Sequence, residues 1–226
     1  MRFRLCPASP GDLPSVLDLI DSAAEWLRTK GTTQWQHPWP DREQRDHRVL
    51  DALERGQTWL LWEGAAPVAT VTLTRTPNVA LWTARQRAQP ALYLHRLVVE
   101  RGRAGLGIGA HLLDWAGVRA REWYGAHWLR IDVWTDNYAL HRYYRERGFR
   151  RLSQLPGIPG YPAGALFQKD TGSIRLSRRL PFEVGPYPAH EAHHPAGSDW
   201  SAAPSPHPSS TSSGSVPALL GAARDR

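Results

Sequence analysis

The residues best suited to chemistry lie between Arg103 and Ala110, in the run RAGLGIGA. This run follows an apolar, strand-like stretch, Leu92 to Val99, and opens a helix on which Ile108, Leu112 and Ala116 recur on one face. The first turn of a helix leaves backbone N–H groups unpaired and carries the positive end of the helix dipole. Glycines at 105, 107 and 109 remove the Cβ atoms that would hold a ligand away, so bare amides can meet a pyrophosphate. The glycine spacing does not fit the dinucleotide fingerprint G-x-G-x-x-G, and no Gly-Lys-Ser/Thr follows to make a P-loop.

A second pattern lies about 30 residues on, in NYALHRYYRERGF from Asn137 to Phe149. Asn137 suits a helix N-cap and Gly148 a left-handed stop, which predicts a helix between them. Leu140 and Tyr144, four residues apart, then share one face. Taken alone, Tyr144 reads first as a core aromatic with its hydroxyl at the surface; the two patterns in this order reverse that preference.

Together the two patterns resemble the GNAT superfamily of acyl-CoA-dependent N-acyltransferases. Leu97, Val98 and Val99 look like the family's strand end, and Ala104, Gly105, Leu106, Gly107, Ile108 and Gly109 align with its Arg/Gln-x-x-Gly-x-Gly/Ala loop. Ala104 departs from the pattern, standing where the family has Arg or Gln, with Arg103 one residue earlier. The resemblance, strongest over 92–149, implies an enzyme that takes acetyl-CoA as acyl donor into a V-shaped gap between the strands ending at Val99 and running from Trp128 to Trp134. Leu97, Val98 and Val99 would pair with the pantetheine as an added strand. Arg103 and the backbone from Ala104 to Ala110 would hold the pyrophosphate, with Asn137 also on the cofactor side. The implied reaction is direct attack by a primary amine, with Tyr144 as the acid for the departing thiolate. His95 is the first candidate for the base, with Asp132, Glu25 or a water chain left open. The acceptor is expected to be a small-molecule amine; a protein amine, or a non-catalytic acyl-CoA-binding regulatory module, are the alternatives.

These residues need a mixed α/β frame, and the pattern of the chain supplies one. Arg2 to Leu5 reads as a strand, Asp12 to Arg28 and Asp41 to Glu54 as helices, and Thr58 to Glu63 with Val68 to Leu73 as a hairpin around Gly64 to Pro67. The strand at 92–99, a helix from about Gly107 to Trp123 and the alternating strand Trp128 to Trp134 follow. The helix from Asn137, a strand after Phe149 and another near Ala165 to Gln168 complete it. The expected architecture is a single α/β domain over 1–170, a mixed and mostly antiparallel sheet flanked by helices. After it comes a disordered tail rich in Pro, Ser and His over 171–226. A cut after Asp170 should then be silent.

Composition narrows the function further. Lys and Arg number 28 against 21 Asp and Glu, a formal charge of +7, but the arginines are dispersed among acids, so a nucleic-acid partner is not expected. No run reaches the apolar length of a membrane span and no leader is evident at the start, so a cytoplasmic protein is the expectation. Cys6, the single cysteine, excludes an internal disulfide and reads as a packed thiol. His190, His193 and His194 lack spaced Cys or carboxylate partners, so no metal site is expected. A homodimer is allowed by the sequence. Trp26, Trp35 and Trp39 lie where the family places its variable acceptor lip, as an aromatic wall or as plain packing.

Overall fold

The computed structural model describes residues 3–38, 40–154, 163–176 and 182–186. Its elements are β1 (Phe3–Pro7), α1 (Leu13–Arg28), α2 (Arg42–Glu54), β2 (Thr58–Glu63), β3 (Ala66–Thr74) and α3 (Ala84–Arg87). They continue with β4 (Ala91–Val99), α4 (Ile108–Tyr124), β5 (Trp128–Trp134), α5 (Tyr138–Glu146), β6 (Arg150–Gln154), β7 (Ala163–Asp170) and β8 (Phe182–Val184). All eight strands join one sheet in the order β6-β7-β5-β4-β3-β2-β1-β8. The ladders are antiparallel except β4–β5 and β1–β8, as the mixed, mostly antiparallel expectation requires.

Alternation along the strands decides what each face buries. On one face Trp59, Leu61, Leu92, Leu94, Leu129, Ile131 and Val133 pack with Ile108, Leu112 and Ala116 of α4 and with Tyr144 of α5. On the other, Leu60 and Val98 meet Val16 and Ile20 of α1 and Val49 and Leu53 of α2. Thus α4 and α5 cover one side of the sheet, and α1 and α2 the other. The helix ends follow the side chains: the Asp41 carboxylate accepts from the Gln44 amide, and the Asn137 side chain from the Leu140 amide at 2.9 Å.

The folded unit does not stop at Asp170, which corrects the expected boundary. Thr171 donates its hydroxyl to the Ala126 carbonyl, and Arg121 donates to the carbonyls of Thr171 and Ile174. Ile174 is 1% exposed and packs so close to Gly117 that a Cβ there would lie 2.1 Å from it. β8 then runs parallel to β1, with Phe3 opposite Phe182. Cutting after Asp170 therefore removes buried apolar surface and is not silent. The expected tail from 187 onward, with its histidines, lies outside the described residues, as does Trp39.

Candidate functional site

The site begins where the sheet comes apart. β4 and β5 are paired only at Ala91–Trp128, Leu92–Leu129 and Tyr93–Arg130. Beyond them the two parallel strands diverge, leaving Leu94 to Val99 without a strand partner on the β5 side among the described residues. On its other edge β4 stays bound to β3, but Thr72 faces His95 while Thr70 faces Val98, so Arg96 and Leu97 together oppose one residue. This is a β-bulge, and Arg96 takes a left-handed φ of 50° to make it. Such a conformation costs a non-glycine residue about 1–3 kcal/mol and is concentrated at functional sites.

A cavity of about 280 Å³ occupies the divergence. Its wall draws on both faces of the sheet: Leu140 and Tyr144 from α5 on one side, Ile20, Arg45 and Arg48 from α1 and α2 on the other. His95 and Asp132 line it between them. The opening therefore passes through the sheet, and a group on α5 and groups on the opposite face address one space.

The chemistry of these groups is set by burial. Tyr144 is 6% exposed, packed against Phe149 and Phe167, and burial pushes its phenol far above the ordinary value, with Tyr143 and Asp132 adding to the shift. It stays a proton donor at any working pH. His95 is shifted the other way: burial holds its pKa below 6.5, Asp132 opposes this and Arg96 reinforces it. Neutral imidazole therefore predominates at pH 7, as a base requires. His95 Nδ1 stands 3.8 Å from Asp132 Oδ1, beyond a hydrogen bond but within electrostatic reach. The Asp132 side chain is only 7% exposed, and its Oδ1 has no hydrogen-bond partner. Glu25, another candidate from the sequence, is exposed on α1 and does not line the cavity.

At the other end, the strand leads into the glycine loop. Leu97 lines the cavity, Val98 points into the α1/α2 core, and Val99 packs on the α4 side. Gly105 and Gly107 have φ of 85° and 75°, conformations that glycine adopts freely, and Gly107 caps α4 with no side-chain hydrogen bond. A Cβ on Gly105 would meet nothing within 4 Å, so the space before α4 is clear. A Cβ on Gly109 would lie 3.0 Å from the Tyr143 hydroxyl. The exposed helix start and clear approach fit a pyrophosphate held by amides.

Arg103, Asn137 and the neighbouring Arg101 already have partners within the fold. Arg103 donates to Glu63, with Nε at 2.7 Å, and to Glu100 at 3.3 Å. Arg101 stacks 3.9 Å above the Trp26 ring. Asn137 uses both ends of its amide: the oxygen caps α5, and Nδ2 donates to Gln34 Oε1 at 2.6 Å. Asp136 beside it accepts from the Thr32 hydroxyl and from the Thr33 amide and hydroxyl, each at 2.7 Å. The segment between α1 and α2 is thereby fastened to the start of α5. Of the aromatic wall expected there, Trp35 lines the cavity, while Trp26 is covered by Arg101 and Lys30.

Sequence reasoning missed Arg45, Arg48 and Arg96, and it missed the Asp136–Thr33 tie. None carries a local signature, since each depends on a neighbour far along the chain.

Comparison with known proteins agrees with this geometry. Residues 20–149 match the family described as the acetyltransferase (GNAT) family. An uncharacterised N-acetyltransferase of Bacillus subtilis, YesJ, is 33% identical over 155 residues, spanning 65% of this chain and 81% of that protein. A GNAT-family acetyltransferase structure from Listeria monocytogenes superposes with a TM-score of 0.60 at 25% identity, covering 74% of this chain and 94% of that one. The PaiA N-acetyltransferase of Thermoplasma acidophilum, solved with coenzyme A, gives 0.59 at 16% identity over 75% and 99%, a likeness of fold.

Proposed function

We propose, from the premise that this chain belongs to the acetyltransferase (GNAT) family, that it moves an acetyl group from acetyl-CoA to the amine of a small molecule across the gap between β4 and β5. Acetyl-CoA, when bound, supplies the activated acyl carbon and a thiolate leaving group. The free edge of Leu97 to Val99 can pair with the amides of a pantetheine arm, as an added strand does. The amides from Gly105 to Ala110, more than Arg103, suit the pyrophosphate, because Glu63 and Glu100 already hold the Arg103 guanidinium. Ala104 in the family's Arg/Gln position costs little on this reading, since backbone donors do not depend on side-chain identity. Asn137 serves as a positioning residue that fastens the acceptor side to α5.

In the transfer, the amine nitrogen bonds to the acyl carbon and the carbon–sulfur bond breaks. His95, neutral and beside Asp132, takes the proton lost by the nitrogen; Tyr144 gives its proton to the sulfur. Both groups must address one space from opposite faces of the sheet. The cavity that crosses the sheet between them is the observation that carries this proposal. Its volume of about 280 Å³ leaves room for an acyl end and a small amine, which favours a small acceptor over a folded protein surface.

The test is the thermal midpoint of the full chain with acetyl-CoA, using adenosine diphosphate and NAD as controls. A ligand bound only by the native state at 100 times its Kd adds about 2.7 kcal/mol. A rise specific to acetyl-CoA, followed by thiol release with small amines, supports the reading. A rise without turnover over a broad amine panel would leave a non-catalytic acyl-CoA-binding module, and no rise would overturn the cofactor assignment.

A further inference from the structure

Two adjacent tyrosines on α5 face different neighbours. Tyr144 lines the cavity, whereas Tyr143, turned roughly 100° around the helix, meets the start of α4. A Cβ on Gly109 would lie 3.0 Å from the Tyr143 hydroxyl and 3.7 Å from Val99 Cγ2. The hydroxyl therefore stands beside the second residue of α4, close to the end of β4. The first bond within α4 runs from the His111 amide to the Gly107 carbonyl at 3.1 Å, so the amides of Ile108, Gly109 and Ala110 have no partner inside the helix. This cradle is short of side-chain donors from its own loop, because Ala104 has none and Glu63 and Glu100 hold Arg103. Tyr143 is half-buried, and burial raises its phenol above the ordinary value, with Arg147 opposing the shift and Asp114 adding to it. It is a neutral hydroxyl at pH 7, with a proton to donate. Among the described residues that proton has no acceptor: the Arg147 guanidinium, 5.1 Å from the ring centre, carries donors only, and Asp114 is paired with Lys169 at 3.8 Å.

We infer that Tyr143 donates a hydrogen bond from its hydroxyl to the pyrophosphate of acetyl-CoA and supplies the side-chain donor that the glycine loop lacks. This rests on the acetyl-transfer reading above and adds a cofactor-binding residue to it. A phosphate oxygen held by the Gly109 amide has the Tyr143 hydroxyl as its neighbouring donor. A hydroxyl bonded to a charged oxygen makes a shorter and stronger bond than one between neutral groups. The glycine at 109 is required for the same reason, since a methyl group there would press on the hydroxyl. The two tyrosines then divide the work at the two ends of the cofactor. Tyr144 gives its proton to the sulfur, and Tyr143 keeps its proton and holds the phosphate.

The test is Tyr143→Phe in the full chain, which keeps the ring and removes the hydroxyl. Dissociation constants for CoA and for 3′-dephospho-CoA are measured by titration calorimetry on the unaltered chain and the variant. Losing a hydrogen bond to a charged acceptor should raise both Kd values about tenfold or more. Unfolded protein lowers the stoichiometry of the titration and leaves the Kd of the folded fraction alone, so a loss of fold cannot imitate the effect. The two ligands share the pyrophosphate and differ only in the 3′-phosphate, so equal losses support the contact as stated. A loss confined to CoA would move the hydroxyl to the 3′-phosphate and overturn the inference. A change in both Kd values of about threefold or less, too small for a bond to a charged group, would also overturn it and leave acetyl transfer intact. Failure of the unaltered chain to bind either ligand would overturn the acetyl-CoA reading and this inference with it.

Discussion

Arg130 and Asp132 sit two residues apart on the same face of β5, both charged and both almost wholly buried. Arg130 is held by four hydrogen bonds. It donates to the Gln86 carbonyl at 2.6 Å, the Tyr93 hydroxyl at 3.1 Å, Gln168 at 3.3 Å and the Gln89 side chain, and lies 5.1 Å from the centre of the Trp82 ring. Asp132 keeps an orphaned oxygen. The difference follows the sheet: Arg130 is level with the last β4–β5 pair, and Asp132 stands just past it, where the strands part. Where the ladder closes, the fold supplies hydrogen-bond partners to a buried charge. Where it opens, a buried carboxylate keeps one oxygen without a hydrogen bond.

Arg130→Ala should separate the two halves most strongly. Each buried acceptor it leaves unpaired costs about 1–3 kcal/mol, so the denaturation midpoint should fall steeply, while the surviving folded fraction should keep its kcat. A loss of kcat at unchanged stability would mean that Arg130 belongs to the open half. Next in size is Tyr144→Phe, which keeps the ring packed on Phe149 and Phe167 and removes only the hydroxyl. General acid catalysis is worth at least 10²-fold, so kcat should fall by about that factor with acetyl-CoA binding unchanged. Full kcat would remove Tyr144 from the reaction.

The pH dependence is smaller in scale. His95 must be neutral to accept a proton, and burial holds its pKa below 6.5. Activity limited by His95 should therefore be level above 6.5 and fall by up to about tenfold per unit once pH drops through that lowered value. Stability follows the same sign: a histidine whose folded pKa is depressed contributes fully above its unfolded value and loses that contribution as pH falls through the folded one. His95→Gln should abolish the acid limb. An acid limb that persists in that variant would assign the proton to another base.

The closed half was the more legible in sequence. The periodicity of α1 and α4, the Asp41 and Asn137 caps, and the alternation of β5 each declare themselves within a few residues. Tyr144 and His95 could be found the same way, one by its place after Asn137 and the other by its strand. The partners of Arg130 could not, because α3 has only four residues and no periodic face. β8 has three residues, and a parallel pairing with β1, nearly the whole chain away, leaves no local mark. Arg48, Arg96 and Asp132 come from three different elements and share a space only because β4 bulges and leaves β5. That departure is a property of register, which no single stretch of residues encodes.

The comparison is tested most directly by Asp132→Asn, with unfolding free energy and acetyl transfer measured on the same preparation. An unsatisfied buried polar group costs about 1–3 kcal/mol, so removing the charge should leave stability unchanged or raise it by about 1 kcal/mol. Meanwhile kcat/KM should fall at least tenfold. A variant that loses several kcal/mol of stability and keeps its activity would show Asp132 to be another Arg130, a structural charge, and would contradict the account.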